Sequence, residues 1–199
     1  NAFAGKYESV FCANRGSLEE RLLEFENAIK TVYASSMSLS ALDYRKRRGL
    51  DKRDEQMALL VQRVSGSYYG SYYMPCAAGV GYSYSPYKFL EQIDPGAGML
   101  RLVMGLGTSA VDRTKGSYPR LVSLDMPQAT SCTTVAEKHQ FSQRNIEAVD
   151  TTMHCVRQLD LQQIEPLLPG YLGNILLDHD FEVERSFRER GLNRSVRFI

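Results

Sequence analysis

No stretch of this chain stays apolar for the ~18 residues that a membrane-spanning helix needs, so no such helix is expected. Neither sign of charge is in excess: 24 Lys and Arg stand against 23 Asp and Glu, a formal net charge of +1. That balance removes the bulk electrostatic argument for nucleic acid or an anionic membrane as partner. Cysteine is sparse. Cys12, Cys76, Cys132 and Cys155 include no Cys-x-x-Cys pair, which leaves zinc ribbons and thioredoxin chemistry unsupported. The scatter suits reduced thiols in a cytoplasmic protein better than a disulfide framework. The three histidines, His139, His154 and His179, share no ligand spacing, so no metal site is expected from them. There is no internal repeat or low-complexity tract, and nothing reads as a secretory leader. The opening Asn1-Ala2-Phe3 has no initiator methionine, and the chain is expected to be a piece of something longer.

What is present is ordinary for a globular domain: 43% hydrophobic and 24% charged residues in a chain of 199, enough for one good core or two small lobes. The most informative stretch is Gly98 to Asp112. Met99 to Met104 reads as a buried strand interrupted by Arg101, and it breaks into Gly105-Leu106-Gly107, then Thr108, Ser109 and Asp112. Strand, glycine turn, hydroxyls and acid is a common way to present backbone N–H groups to phosphate. The stretch is neither a Walker loop, since no Gly-Lys-Ser/Thr follows, nor a dinucleotide fingerprint, since the third glycine is absent. A strand end turning sharply inside a core is the plain alternative.

Along the chain, 3–12 reads as a strand after a glycine turn, with Lys6 able to reach a phosphate or simply solvated. Ser17-Leu-Glu-Glu20 is a capping box, and a helix through about Tyr33 follows, with Leu18, Leu22, Phe25, Ile29 and Val32 as its buried stripe. A second helix, 40–48, ends at Gly49 with Arg45 to Arg48 in its last turn, where cations suit the helix dipole or could grip nucleic acid. Residues 56–64 read as a strand, with Met57 to Val61 buried on both faces and Gln62 near its end. Tyr68, Tyr69, Tyr72 and Tyr73 lie on a hairpin, 77–84 is a return strand, and 120–124 is another. Two alternating strands lie within 141–157. The segment 164–176 is helix or turns, Asp178 to Glu182 is an exposed helix start, Glu182 to Gly191 an exposed helix, and 195–199 a strand.

Several of these segments, in order, resemble the ATP-grasp nucleotide-binding domain of the pyruvate phosphate dikinase and phosphoenolpyruvate synthase family. Phe3-Ala-Gly-Lys-Tyr-Glu-Ser9 is similar to that family's Phe-Ala-Gly-Gln-x-Glu-Thr loop. Ala28 to Ser35 with Tyr44-Arg45, Met57 to Val64, Ala78 to Pro86 and Met104 to Val111 each resemble a family segment. One branch of the family carries Gly-Leu-Gly-Thr-x-Ala-Val-Asp-Arg and then Tyr-Pro-Arg-x-Val-x-Leu, as Gly105–Arg113 and Tyr118–Leu124 do here. The resemblance implies an α+β fold, a partial ATP-grasp domain with a mixed or antiparallel sheet and a few packing helices. It implies a central nucleotide-binding region at 1–125 and a β-rich continuation at 126–199.

The resemblance further implies ATP and Mg²⁺ as cofactors of the parent protein, an ATP-dependent phosphotransferase that phosphorylates pyruvate through a phosphohistidine on another domain. Gly5 and Lys6 would sit by the phosphates, Gln62 near the base, Gly105, Gly107 and Thr108 along the pocket, and Arg120 on a phosphate. The partners implied are ATP and the phosphohistidine and pyruvate domains of the same parent, with no nucleic acid and no membrane. The family's metal-binding Gln-Asp-Ile-Glu is expected beyond Ile199, so no catalytic residue and no metal ligand is assigned here, and this chain alone is expected not to turn over. Two departures stand out: Thr108 replaces the family's Glu, and Asp112-Arg113 replace its following glycine. They motivate an alternative, a non-catalytic interaction or regulatory module that has lost nucleotide binding.

Overall fold

A computed structural model describes residues 6–111, 116–179, 181, 185 and 196–198. The chain divides into two units: Asn1–Arg63 with Val149–Cys155, and Val64–Ala148 with Val156–Ile199.

The first unit is helical. α1 (Leu18–Ser35) starts where the capping box requires: the Ser17 hydroxyl accepts the Glu20 N–H at 3.2 Å, and the Glu20 carboxylate accepts the Ser17 N–H at 2.7 Å. α2 (Leu39–Arg47) is capped by Ser38 and ends in the expected basic turn. That turn is bound internally. Arg45 pairs with Glu55 and donates to the carbonyls of Leu50 and Arg53, Arg47 pairs with Asp43 at 2.8 Å, and Arg48 lies 5.4 Å from the Tyr44 ring centroid.

Three expectations for this unit need correction. Among residues 6–12 there is no strand. Residues 56–64 belong to no sheet either, and Met57 to Val61 are not buried on both faces as expected: Met57 and Leu59 are half-buried while Ala58, Leu60 and Val61 are exposed, and no ladder joins the segment. A period of two shows an extended chain, and a strand also needs a hydrogen-bonded neighbour. The α1 stripe is not buried: Leu18, Leu22 and Phe25 are exposed and Ile29 and Val32 half-buried. Helical period decides which residues share a face, and packing decides whether that face is covered.

The second unit is α+β and built on antiparallel pairing, in agreement with the expected fold class. β1 (Ser67–Tyr69) and β2 (Tyr72–Met74) form the tyrosine hairpin, which buries Tyr69 and leaves Tyr68 exposed. They join β6 (Asn145–Asp150) and β7 (Cys155–Asp160) in a sheet of order β1-β2-β6-β7. A second sheet has the order β3-β4-β5, from β3 (Ala78–Tyr82), β4 (Met99–Val103) and β5 (Arg120–Ser123), antiparallel throughout. The core gathers Met74, Met104, Ile146, Leu161, Ile164 and Phe198 with their neighbours.

Among the described residues of this unit Val135–Gln140, Leu161–Ile164 and Gly170–Leu176 are short helices, and Phe181 and Arg185 are helical as well. α3 (Val135–Gln140) lies where no element is expected from the sequence, although Thr134 and Glu137 form a capping box as regular as that of α1. α4 (Leu161–Ile164) begins at Asp160 and α5 (Gly170–Leu176) at Pro169. The last sheet pairs β8 (Leu177–His179) with β9 (Val196–Phe198). Asp178 and His179 are therefore strand residues rather than a helix start. Asp178 faces Arg197 across the ladder and pairs with it, and His179 Nε2 lies 2.8 Å from Glu165. Most of the segment Glu182 to Gly191, expected as a helix, lies outside the described residues.

Candidate functional site

β4 delivers the chain into the glycine turn as expected. Met99, Val103 and Met104 are buried, and the backbone then turns through Gly105 at φ +92° and Gly107 at φ +89°. Left-handed backbone of this kind disfavours any residue with a Cβ. Gly105 has a second reason to be glycine, because a Cβ there would stand 2.6 Å from the carbonyl oxygen of Glu147. A single 3₁₀ turn, Thr108–Ala110, follows. The first N–H groups of any such turn have no partner within it and face outward from its start.

β6 holds this turn from the side. The Leu106 N–H donates to the Glu147 carbonyl at 2.9 Å, and the Thr108 hydroxyl donates to the Glu147 carboxylate. One residue pair earlier, the side-chain amide of Gln143 accepts the Met104 N–H at 2.7 Å and donates to the Met104 carbonyl at 2.9 Å. Beyond the turn, Ser109 Oγ lies 3.0 Å from Ser117 Oγ, which donates to the Asn145 carbonyl at 2.9 Å. Since Ser117 gives its proton to Asn145, Ser109 is the donor of that pair.

The residues singled out from the sequence separate into two groups. Gly105, Gly107 and Thr108 are the turn itself. Arg120 is the first residue of β5 and pairs in register with Leu102, which puts it at the end of the sheet where β4 enters the turn. Lys6 and Gln62 belong to the first unit. Lys6 donates to Ser40 Oγ at 3.1 Å and lies 5.9 Å from the Tyr44 ring centroid, and Gln62 is exposed. Gly5, and with it Asp112 and Arg113, lies outside the described residues.

Sequence reading missed Gln143 and Glu147, each 39 residues from its partner in the turn. The available signal was weak: one polar residue, Glu147, between the apolar Ile146 and Ala148 of β6, and another, Gln143, two residues before that strand begins. Chemically the turn offers backbone N–H groups at a bend, one hydroxyl and a neighbouring cation to an anionic group, with the Glu147 carboxylate beside them. Among the described residues no three His, Cys, Asp or Glu side chains come together to hold a metal ion. No helix among them is long and apolar enough to cross a membrane.

Residues 1–168 match a protein family described as pyruvate phosphate dikinase, AMP/ATP-binding domain. No curated protein and no solved structure matches the chain.

Proposed function

The chain belongs to the pyruvate phosphate dikinase AMP/ATP-binding domain family, and from that premise we propose that its glycine turn holds the phosphates of ATP. The observation that carries this reading is the conjunction at one sheet end of Gly105, Gly107 and Thr108 with Arg120, all inside the matched range. Backbone N–H groups at a bend and a guanidinium fork both suit phosphate oxygens. Gly5 and Lys6 as further phosphate contacts, and Gln62 beside the base, belong to the same proposal. So does the division into a nucleotide-binding region at 1–125 and its continuation at 126–199.

The family match makes the parent an ATP-dependent phosphotransferase. That it phosphorylates pyruvate through a phosphohistidine on another domain of the same chain, in the cytoplasm, is part of what we propose. The described residues do not build a cage for Mg²⁺. An ion of this kind usually arrives with several waters and the substrate's own phosphates and needs only one or two carboxylates. It would supply charge neutralisation on the transferring phosphoryl group. The chain's own contribution is binding and orientation.

A second reading, an interaction or regulatory module without nucleotide binding, draws on one observation: the Thr108 hydroxyl is already engaged by Glu147. Titration of Mg·ATP into the full chain by calorimetry separates the two readings. We expect heats of binding with a millimolar or tighter constant, weakened about tenfold by Arg120→Ala and less by Lys6→Ala. Absence of binding would favour the second reading. No ATP hydrolysis and no pyruvate-dependent AMP formation is expected of this chain by itself, and turnover would overturn that expectation.

A further inference from the structure

Gln143 is among the most buried polar side chains of the second unit, 1% exposed, and three segments meet on it. Its amide clasps both backbone groups of Met104, accepting the N–H and donating to the C=O, and its amide nitrogen also lies 3.1 Å from the Asn145 carbonyl. Its backbone forms an isolated bridge with Ser117, and its own carbonyl accepts the Phe198 N–H at 3.0 Å. The side chain thus imitates the backbone of a neighbouring strand for one residue, and that residue immediately precedes Gly105.

The position of Met104 explains what the clasp achieves. β4 ends at Val103, so no ladder bonds are drawn for Met104 from β3 or β5: Val103 is the last residue of β4 in register with β3, and Leu102 the last in register with β5. Its peptide groups are nevertheless buried and must be satisfied. Only a side chain with a donor and an acceptor side by side can satisfy both at once, and among uncharged side chains of this reach that means an amide. With Met104 held, the two left-handed glycines that follow begin from a fixed point and a fixed direction.

We propose that Gln143 is the positioning residue of the nucleotide site: it sets the direction in which the turn after Leu106, through Gly107 and Thr108, presents its N–H groups, without touching the nucleotide. The inference rests on the nucleotide reading above. It predicts that loss of the two-point clasp weakens Mg·ATP binding by at least about tenfold in chain that is still folded.

The test compares Mg·ATP affinity, by calorimetry on the full chain, for the wild type, Gln143→Leu, Gln143→Glu and Ile164→Val. The last removes one methyl from the core cluster that also holds Met104, and it leaves the Gln143 amide and the Met104 peptide groups of the clasp in place. Circular dichroism confirms the folded fraction at the titration temperature. Gln143→Leu should bind at least about tenfold more weakly, and Ile164→Val as the wild type does. Gln143→Glu adds a pH-dependent readout, taken on the folded fraction measured at each pH. Protonated, that carboxyl donates and accepts as the amide does. Ionised, it turns a second acceptor on the Met104 carbonyl. Burial raises the titration of such a carboxyl, so the affinity of this variant relative to the wild type should fall as pH rises from mildly acidic to mildly basic.

Should Gln143→Leu bind like the wild type, or should Ile164→Val weaken binding equally, the positioning role is overturned. A flat pH ratio for Gln143→Glu together with an unaltered affinity overturns it as well. A wild-type chain that binds no Mg·ATP overturns the nucleotide reading and this inference with it, whereas equal binding by all four proteins overturns the inference alone.

Discussion

At Gly105 two independent constraints coincide. Its φ of +92° is unfavourable for a residue with a side chain, and a Cβ would press on the Glu147 carbonyl that the Leu106 N–H already occupies. Gly105→Ala is therefore expected to destabilise the second unit by about 2 kcal/mol, read as a lowered midpoint in urea with an unchanged slope. The same change at Gly49, which also has positive φ but no atom within 4 Å of a Cβ, should cost less. Equal losses at the two positions would show that backbone conformation alone accounts for the effect. The basic run Arg45 to Arg48 makes the complementary point. Read as letters it offers four cations to a polyanion, yet Arg45 is bound to Glu55 and two carbonyls, Arg47 to Asp43, and Arg48 lies over Tyr44.

At the level of the element, two helix starts carry part of the chain's acid sensitivity. At α1 the Ser17 backbone N–H, and after it the Ser17 hydroxyl, holds the Glu20 carboxyl below its ordinary range. At α3 the Thr134 N–H does the same for Glu137, followed by the N–H of Thr133. A carboxyl whose folded value is lowered contributes stability that is complete above the unfolded value. That contribution is lost as pH falls through the unfolded value towards the folded one. Melts followed by circular dichroism at pH 7 and about pH 3 should show the wild type losing more on acidification than Glu20→Gln, whose amide still accepts the Ser17 N–H but does not titrate. An equal loss in both proteins would remove Glu20 from the account. Both boxes sit well exposed, so the effect belongs to the helix ends and not to the core.

Across the whole molecule, burial is uneven. The core cluster lies in the second unit, while among the described residues of the first unit Ala41 and Val149 are the apolar side chains that reach full burial. Local opening follows from few buried apolar contacts, and amide hydrogen exchange measures it directly. Amides of α1 are expected to exchange well before those of β4 and β6, whose neighbours include Met104 and Ile146 at 1% and 0% exposure. Uniform protection across both units would contradict this. Ordering of the glycine turn by Mg·ATP would add protection at Leu106 to Ser109 and leave α1 unchanged.

Features that close within a few residues were readable from the chain. The α1 start follows from Ser17 and Glu20 three positions apart, the tyrosine hairpin from a Gly70 between two short runs, and the turn after Met104 from two glycines that tolerate positive φ. In each, donor and acceptor or both sides of a bend are near neighbours, so side-chain chemistry suffices. α3 carried the same kind of signal in Thr134 and Glu137 and could have been found by it. Other features required distant segments to meet. Met57 to Val61 is an apolar run such as a buried strand carries, but a strand exists only where another one supplies its ladder. Leu18, Leu22 and Phe25 share a face of α1, but covering that face takes a neighbour. Glu147 and Gln143 reach the turn across 39 residues of chain, because β6 passes beside the end of β4. No local spacing encodes such a meeting. It is fixed when the sheets pack, where a buried N–H and C=O at Met104 must find partners and the nearest amide provides both.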